Sequence, residues 1–400
     1  MAIGKKSIKK FLLLIVCCLL ASGCKEKIST KTPENFNLEL NKDSILVHEE
    51  IYVKDLIIQT NGIINNLDQK INTNKLGKVE YKIEYTYNKK KYTNTFELDI
   101  IDNIEPKIFG SNSKTVLKNH STDLCYSFLI GDNYDKKPTC IIEGELNLNK
   151  VGSYKVRLVV TDSSENQVTK DITINVVDKN NSTNPTPSYT RIPFSDTLEM
   201  YKNDDTELGI DISAWQGTVD FQKVKEAGAT FVILRIGVHA GKGYEIKEDT
   251  YFQENLKKAK AAGLKIGVYF YSTATSVEEA KEHAAWVIDK LAGEKLDFPI
   301  AFDWENWEYW NYYEISFFDI NEIVDIFIDE LKKHGYSGML YGSASYLNNI
   351  FNNNNKHPLW LAHYTKETNF EQNYILWQFT NIGSIPGVTG DIDINVMYKK

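Results

Sequence analysis

Asp303 and Glu305 are separated by a single tryptophan in the run Phe302-Asp303-Trp304-Glu305, at the end of an apolar stretch that begins at Phe298. Side chains along a strand alternate, so the two carboxylates point the same way, with Cα atoms roughly 6.6 Å apart. Like charges held that close push each other's pKa apart, leaving one acid able to donate a proton while its neighbour stays ionised. Cleavage of a glycosidic bond requires that division of labour. Trp304, Trp307, Tyr309, Trp310, Tyr312 and Tyr313 crowd the same stretch among Asp, Glu and Asn. Their flat faces suit stacking on sugar rings, although aromatic side chains also fill cores.

The elements that would position these acids follow from the pattern of the chain beyond Leu208, where short apolar runs alternate with longer amphipathic ones, as in βα units around a parallel sheet. Strands are expected near Leu208 to Ile212, Phe231 to Ile236, Lys265 to Tyr271, Phe298 to Trp304, Gly338 to Tyr341, Leu359 to Ala362 and Ile375 to Phe379. Helices are expected over Phe221 to Glu226, Thr250 to Ala262, Val277 to Leu291, Ile320 to Lys333 and Ala344 to Phe351, with Gly263 and Gly335 as C-caps. Residues 205–400 are fewer than the ~250 of an eight-fold barrel, and the later connections are too short for full helices. The expected fold of this part is therefore α/β, an incomplete (β/α)-barrel. Active sites of such barrels lie at the C-terminal strand ends. Asp211 ends the first strand, Asp303 and Glu305 end the fourth, and Asp393 lies in the last segment, so four carboxylates are expected at one mouth. The alternative for Asp211 and Asp393 is capping of loop amides.

Between the polar stretch 24–33 and Asp178 the pattern changes to short alternating runs, such as Tyr81 to Tyr87, Val156 to Val160 and Ile172 to Val176, which are half-buried strands. Asn74-Lys75-Leu76-Gly77 recurs as Asn149-Lys150-Val151-Gly152, 75 positions later. Two all-β sandwiches, 34–102 and 103–178, are expected as spacers. The second resembles the bacterial immunoglobulin-like modules of cell-surface proteins, and the first does so more weakly. Asp102, Asp132 and Asp162 there read as turn residues, with a calcium site as the alternative. Residues 179–204, rich in Asn, Ser, Thr and Pro, read as an extended linker.

Formal charge is −8, and no basic stripe with interleaved aromatics is present, so nucleic acid is excluded as a partner. Lys5, Lys6, Lys9 and Lys10 precede the apolar run Phe11 to Leu20, the order of a secretory signal in 1–23. Leu20-Ala21-Ser22-Gly23-Cys24 resembles the lipobox of bacterial lipoproteins, which implies lipid on Cys24 and anchorage outside the cytoplasm, on the outer face of the bacterial cytoplasmic membrane. A plain cleaved signal is the alternative. Of five cysteines, Cys125 and Cys140 remain, either as a disulfide or as two buried thiols. Seven scattered histidines show no paired-ligand spacing, so neither a catalytic metal nor any other cofactor is expected.

Gly209 to Gly217 (Gly-Ile-Asp-Ile-Ser-Ala-Trp-Gln-Gly), Gly267-Val268-Tyr269, Asp303-Trp304-Glu305, Trp360 to Tyr364, Trp377 to Thr380 and Pro386 to Asn395 stand in an order that resembles family 25 of the glycoside hydrolases, the Chalaropsis-type lysozymes. The resemblance covers about Glu207 to Tyr398. It implies hydrolysis of the β-1,4 bond between N-acetylmuramic acid and N-acetylglucosamine in peptidoglycan glycan strands; a monomer is expected. Carried over by position, Glu305 is the general acid, and Asp303 orients the substrate's N-acetyl group or stabilises the oxocarbenium-like transition state. Asp211 and Asp393 resemble the other active-site acids. Tyr269, Trp304, Trp360, Tyr364 and Gln378 are the expected substrate-binding residues, with core filling as the alternative for Trp360. Phe270 departs from the polar residue of many relatives. Two other functions fit less of the pattern: a silent wall-binding protein, which has no need of both Asp303 and Glu305, and a chitinase-like enzyme, which the Asp211 and Pro386 to Asn395 segments disfavour.

Overall fold

The computed structural model describes residues 29–41, 43–119, 123–178 and 189–399. The expected secretory leader in 1–23, Cys24 and residues 179–188 of the expected linker lie outside the described residues. The chain divides after Ile101 into two compact units. Among the described residues no helix is long and apolar enough to cross a membrane.

The first unit pairs Leu38–Leu40 with Ile57–Thr60 in one ladder, and orders Ser44–Leu46, Lys90–Ile101, Gly77–Tyr87 and Ile63–Ile64 in a four-stranded sheet. Its two long strands meet in a two-residue hairpin at Asn88 and Lys89, both at positive φ, the conformation whose twist matches the flanking strands. Alternate residues Tyr81, Ile83 and Tyr85 are buried, so the period of two in the sequence is the inside face of the sheet.

The second unit opens with the same connectivity repeated. Lys107–Phe109 pairs with Leu129–Gly131, while Thr139–Glu143, Gly152–Thr161, Gln167–Val177 and Ser113–Leu117 form the four-stranded sheet. The core between these layers is Val116, Phe128, Ile130, Val156, Leu158, Val160, Ile172 and Ile174. Cys125 and Cys140 are joined in a disulfide that ties the turn Leu124–Ser127 to the edge strand. Closing a loop of this length restricts the unfolded chain by about 3 kcal/mol. A Cys125→Ser, Cys140→Ser double variant is accordingly expected to unfold this module several degrees lower in calorimetry; an unchanged transition would remove the crosslink from the stability account.

The remainder of the unit is a barrel. Seven parallel strands, Thr206–Ile212, Phe231–Val238, Lys265–Tyr271, Ile300–Asp303, Gly338–Ser343, Leu359–Ala362 and Leu376–Ser384, are joined in sequence order, and an eighth, Ile392–Tyr398, lies antiparallel between the seventh and the first. The expected incomplete barrel is thus corrected: the strand ring is closed. Only the helical layer is partial, with Phe221–Glu226, Phe252–Ala261, Val277–Leu291, Phe317–Lys333 and Ala344–Asn349 following the first five strands. An antiparallel last strand needs a turn rather than a crossover helix, which is how fewer than ~250 residues close the ring.

The helices begin where side chains can satisfy their free amides. Asp220, Ser276 and Ser316 each accept a first-turn N–H, and Ser316 completes a capping box with Asp319. Gly263 and Gly335 follow two of them at φ of 71° and 83°, as their positions past the apolar periodicity require. Residues 192–201, expected within the linker, are instead structured. Ile192–Pro193 pairs with the seventh barrel strand, and the helix Phe194–Tyr201 buries Phe194 and sets Tyr201 against Trp377 and Phe379. The signal for that helix was the apolar spacing of Phe194, Leu198 and Tyr201, masked by the polar run before it.

Candidate active site

Alternation along each barrel strand sends one set of residues to the helices and the other inward. Ile210 and Ile212 pack outward with Val232 and Leu234, whereas Phe231, Ile233, Ala301, Met339, Tyr341, Trp360, Ala362 and Leu376 fill the interior. Toward the C-terminal strand ends this lining becomes polar. Arg235 continues the inward row of Phe231 and Ile233, Asp303 continues that of Ala301, Gln378 that of Leu376, and Asp211 lies directly across from Asp393 in the register of the first and eighth strands. An apolar floor therefore carries a charged mouth.

Asp211 is the best-supported acid. Its Oδ2 accepts from Gln378 Nε2 at 2.9 Å and Asn395 Nδ2 at 2.7 Å. Both amides are held from behind: Trp360 Nε1 donates to Asn395 Oδ1 at 2.8 Å, and the hydroxyls of Tyr341 and Tyr364 donate to Gln378 Oε1 at 3.0 and 2.9 Å. Because each amide oxygen is occupied by a donor, each amide can only offer N–H to Asp211, which fixes an environment made for a carboxylate. Burial pushes Asp211 up to about 6, and the two amides oppose that rise.

The other three acids rise further. Asp303 is buried, and burial, Glu305 and Asp211 raise it well above the carboxylate range, with Arg235 opposing. Its Oδ1 has no hydrogen-bond partner among the described residues. Glu305 is exposed as a residue, yet its carboxyl stands in the concave mouth where protein displaces much of its water; that loss and the charge of Asp211 lift it to about 7. Burial, Asp211 and Glu305 bring Asp393 to about 9. Glu305 thus keeps its proton to higher pH than Asp211, whose two amide donors favour the charged form.

All four expected acids come together at one mouth, ringed by Tyr269, Tyr341 and Tyr364, each of which feels their charges. Tyr269 faces inward and Tyr364 is half exposed at the rim. Trp360 is 2% exposed and belongs to the floor, where it positions Asn395. Trp304 is a correction. It is 1% exposed, donates to Ala274 O at 3.0 Å and packs edge-on against Trp307, Trp310 and Tyr313, so it has no face for a sugar. The aromatic run 304–313 is mostly core: Trp310 is buried and Trp307 stacks on Tyr346 at 4.1 Å, leaving Tyr309 and Tyr312 exposed. Phe270 points into the helical layer against His283, Trp286 and Phe327, so its departure from the family pattern does not touch the groove.

Four residues were not singled out from the sequence. Tyr341 and Asn395 complete the support of Asp211. Arg235, paired with buried Asp249 at 2.7 Å, is the cation beside Asp303. Trp215, 87% exposed, is carried by the loop after the first strand, where Asp249 Oδ2 accepts from Ala214 N. An arginine inside the apolar run Phe231–Val238, at an inward position, was the available signal for Arg235.

Residues 210–388 match the glycosyl hydrolases family 25. That match lies within the barrel and spans most of it. An autolytic lysozyme of Clostridium acetobutylicum is 32% identical over 189 residues, 47% of this chain and 54% of the relative. Lysozyme M1 of Streptomyces globisporus is 28% identical over 205 residues, 47% of this chain and 66% of the relative. The solved modular autolysin LytC from Streptococcus pneumoniae aligns with a TM-score of 0.45 at 24% identity, over 60% of this chain and 56% of that one. The chain spans about half the length of the first of these relatives, and the family 25 match leaves both β modules outside it.

Proposed function

We propose that this chain is a peptidoglycan hydrolase, an N-acetylmuramidase that cleaves the β-1,4 bond between N-acetylmuramic acid and N-acetylglucosamine. The convergence of Asp211, Asp303, Glu305 and Asp393 at the mouth of a family 25 barrel carries the reading. Glu305, protonated near neutrality and open to the groove, gives its proton to the leaving O4 as the C1–O4 bond breaks. Asp303, with an oxygen free of protein partners, holds the acetamido N–H so that the acetamido oxygen bonds to C1. Water then attacks C1, returns its proton to Glu305 and reopens the acetamido group. Asp211 and Asp393 set the charge that the central pair experiences, Tyr269 and Tyr364 contact the glycan, and buried Gln378, expected to do so, instead holds Asp211.

Digestion of purified walls followed by borohydride reduction tests the bond assignment. Muramitol should appear at the new ends; glucosaminitol would sink the muramidase reading, and equal activity on chitin would favour the chitinase-like alternative.

The two β modules are read as immunoglobulin-like spacers between this domain and a lipid on Cys24, which would hold the enzyme on the outer face of the cytoplasmic membrane. Cys24→Ser is expected to move the protein from the membrane fraction to the medium. Retention in the membrane fraction would count against the tether.

A further inference from the structure

The loops at one end of the second β module gather Asp102, Asp132, Asp135 and Asp162, and one carboxylate oxygen from each lies within 4.8 Å of one from every other. Asp102, Asp132 and Asp162 each serve a turn with one oxygen, as their residue type suits. Asp102 Oδ1 accepts from Ile104 N at 3.1 Å and from Asn133 Nδ2 at 3.1 Å. Asp132 Oδ1 accepts from the amides of Tyr134 and Asp135 at 2.8 and 2.7 Å, and Asp162 Oδ1 from those of Ser164 and Asn166 at 2.9 and 2.8 Å. Asp162 Oδ2 also accepts from Asn166 Nδ2 at 2.8 Å, and Asp135 Oδ2 from Ser163 N and Oγ at 2.9 and 2.8 Å, but the second oxygens of Asp102 and Asp132 stay unexplained. Asp132 is fully buried and Asp102 is 7% exposed, yet Oδ2 of each accepts nothing among the described residues, and Asn133 Oδ1 is buried without a partner as well.

Four carboxylates in so small a volume repel one another, and burial removes the water that would otherwise screen them. Burial and the charges of Asp102 and Asp162 hold Asp132 up at about 6, against the pull of its two turn amides. A cation between the carboxylates resolves both the repulsion and the orphaned oxygens. The donor set is all oxygen, with neither histidine nor cysteine in the group, which selects a hard ion over zinc or copper. Oxygens on opposite sides of a calcium ion are about 4.8 Å apart, a spread that the four carboxylates accommodate, and calcium tolerates an irregular set of protein oxygens better than magnesium does. We propose that Asp102, Asp132, Asp135 and Asp162 form a calcium-binding site.

The location gives the site a consequence. Asp132 O accepts from Phe317 N at 2.7 Å, at the start of the helix that follows the Glu305 segment. Beside it, Asn311 clamps the strand Leu129–Gly131 by accepting from Ile130 N at 3.2 Å and donating to Phe128 O at 2.6 Å. Gly131 approaches so closely that a Cβ there would lie 2.4 Å from the Phe317 ring. The cation would therefore stiffen the loop through which the module grips the barrel.

Calorimetry of the full chain, stripped with chelator and titrated with calcium chloride, tests the assignment. A one-to-one binding heat is expected, together with a rise of about 3 °C or more in one unfolding transition at about 1 mM calcium, and a smaller rise with magnesium. Asp132→Asn should abolish the calcium-dependent rise while leaving the calcium-free transition at or above the parent's, since it relieves repulsion. Asp135→Asn, at a less buried position, should weaken binding at least tenfold and serves if the first variant does not fold. Identical melting in chelator and in calcium with no binding heat, or parental calcium affinity in a folded variant, would overturn the proposal.

Discussion

Glu305→Gln is expected to lower the rate of reducing-end release from purified walls by about a thousandfold while the protein stays folded and bound to its substrate. The glutamine keeps the shape of the acid and its place at the mouth, so what is lost is the proton delivered to the leaving oxygen, a contribution of about 10² to 10⁴ in rate for a positioned general acid. A second measurement separates that role from a structural one. An aryl muramoside expels a phenolate that needs little protonation, so its bond cleavage should suffer far less from the substitution than that of the natural glycan. Equal losses on both substrates, or wall clearing at the parent rate, would remove Glu305 from the acid's position. The pH profile carries the same assignment. Glu305 sits at about 7 and acts protonated, so activity should be present below that pH and fall as pH climbs through it.

The parts of this domain that were legible in the sequence are those where one local rule decides. Lys265–Tyr271 and Leu359–Ala362 coincide with apolar runs of strand length, and Val277–Leu291 with an amphipathic run capped by Ser276. The acids were visible for a related reason: a carboxylate closing an apolar strand is costly unless it has partners or water, so its presence marks a mouth. Ring closure was not visible, because it depends on the last strand running backwards. The alternation of Ile392, Ile394 and Val396 with Asp393, Asn395 and Met397 identifies a strand but says nothing of its direction. The aromatic run near Glu305 misled for a further reason. Trp304 in a core and Trp304 in a groove present the same letter, and only its contacts with Trp307, Trp310, Tyr313 and Ala274 decide between them.

The support around Asp211 lies between these cases. Gln378 was assigned to the glycan by resemblance, and its oxygen does meet the rim hydroxyl of Tyr364, but its amide nitrogen is committed to Asp211. Trp360 comes from the sixth strand, Asn395 from the eighth and Asp211 from the first, so their chain of hydrogen bonds exists only once the barrel has closed. A polar side chain at an inward position near a strand's C-terminal end is a signal for such support. It cannot say which acid receives it.

That network makes Asp211→Asn the second large effect, and its sign can be worked out. Asp211 keeps its charge most readily of the four, because two amides donate to it, and that charge raises Glu305, Asp303 and Asp393 alike. Asparagine is nearly isosteric, and its side-chain oxygen can still accept from both amides, so the fold should survive. With the charge gone, Glu305 becomes the stronger acid and is deprotonated at lower pH, moving the alkaline limb of the activity profile down by about one unit. The loss at neutral pH is expected to be about a hundredfold, from the smaller protonated fraction together with the missing negative charge opposite the developing oxocarbenium ion. At about pH 5 Glu305 stays protonated in both proteins and Asp211, at about 6, is largely neutral in the parent as well, so both parts of the deficit should fall away. A deficit that is the same at both pH values would mean that Asp211 acts on the sugar alone. An unmoved alkaline limb would mean that the proton lost near pH 7 does not belong to an acid coupled to Asp211.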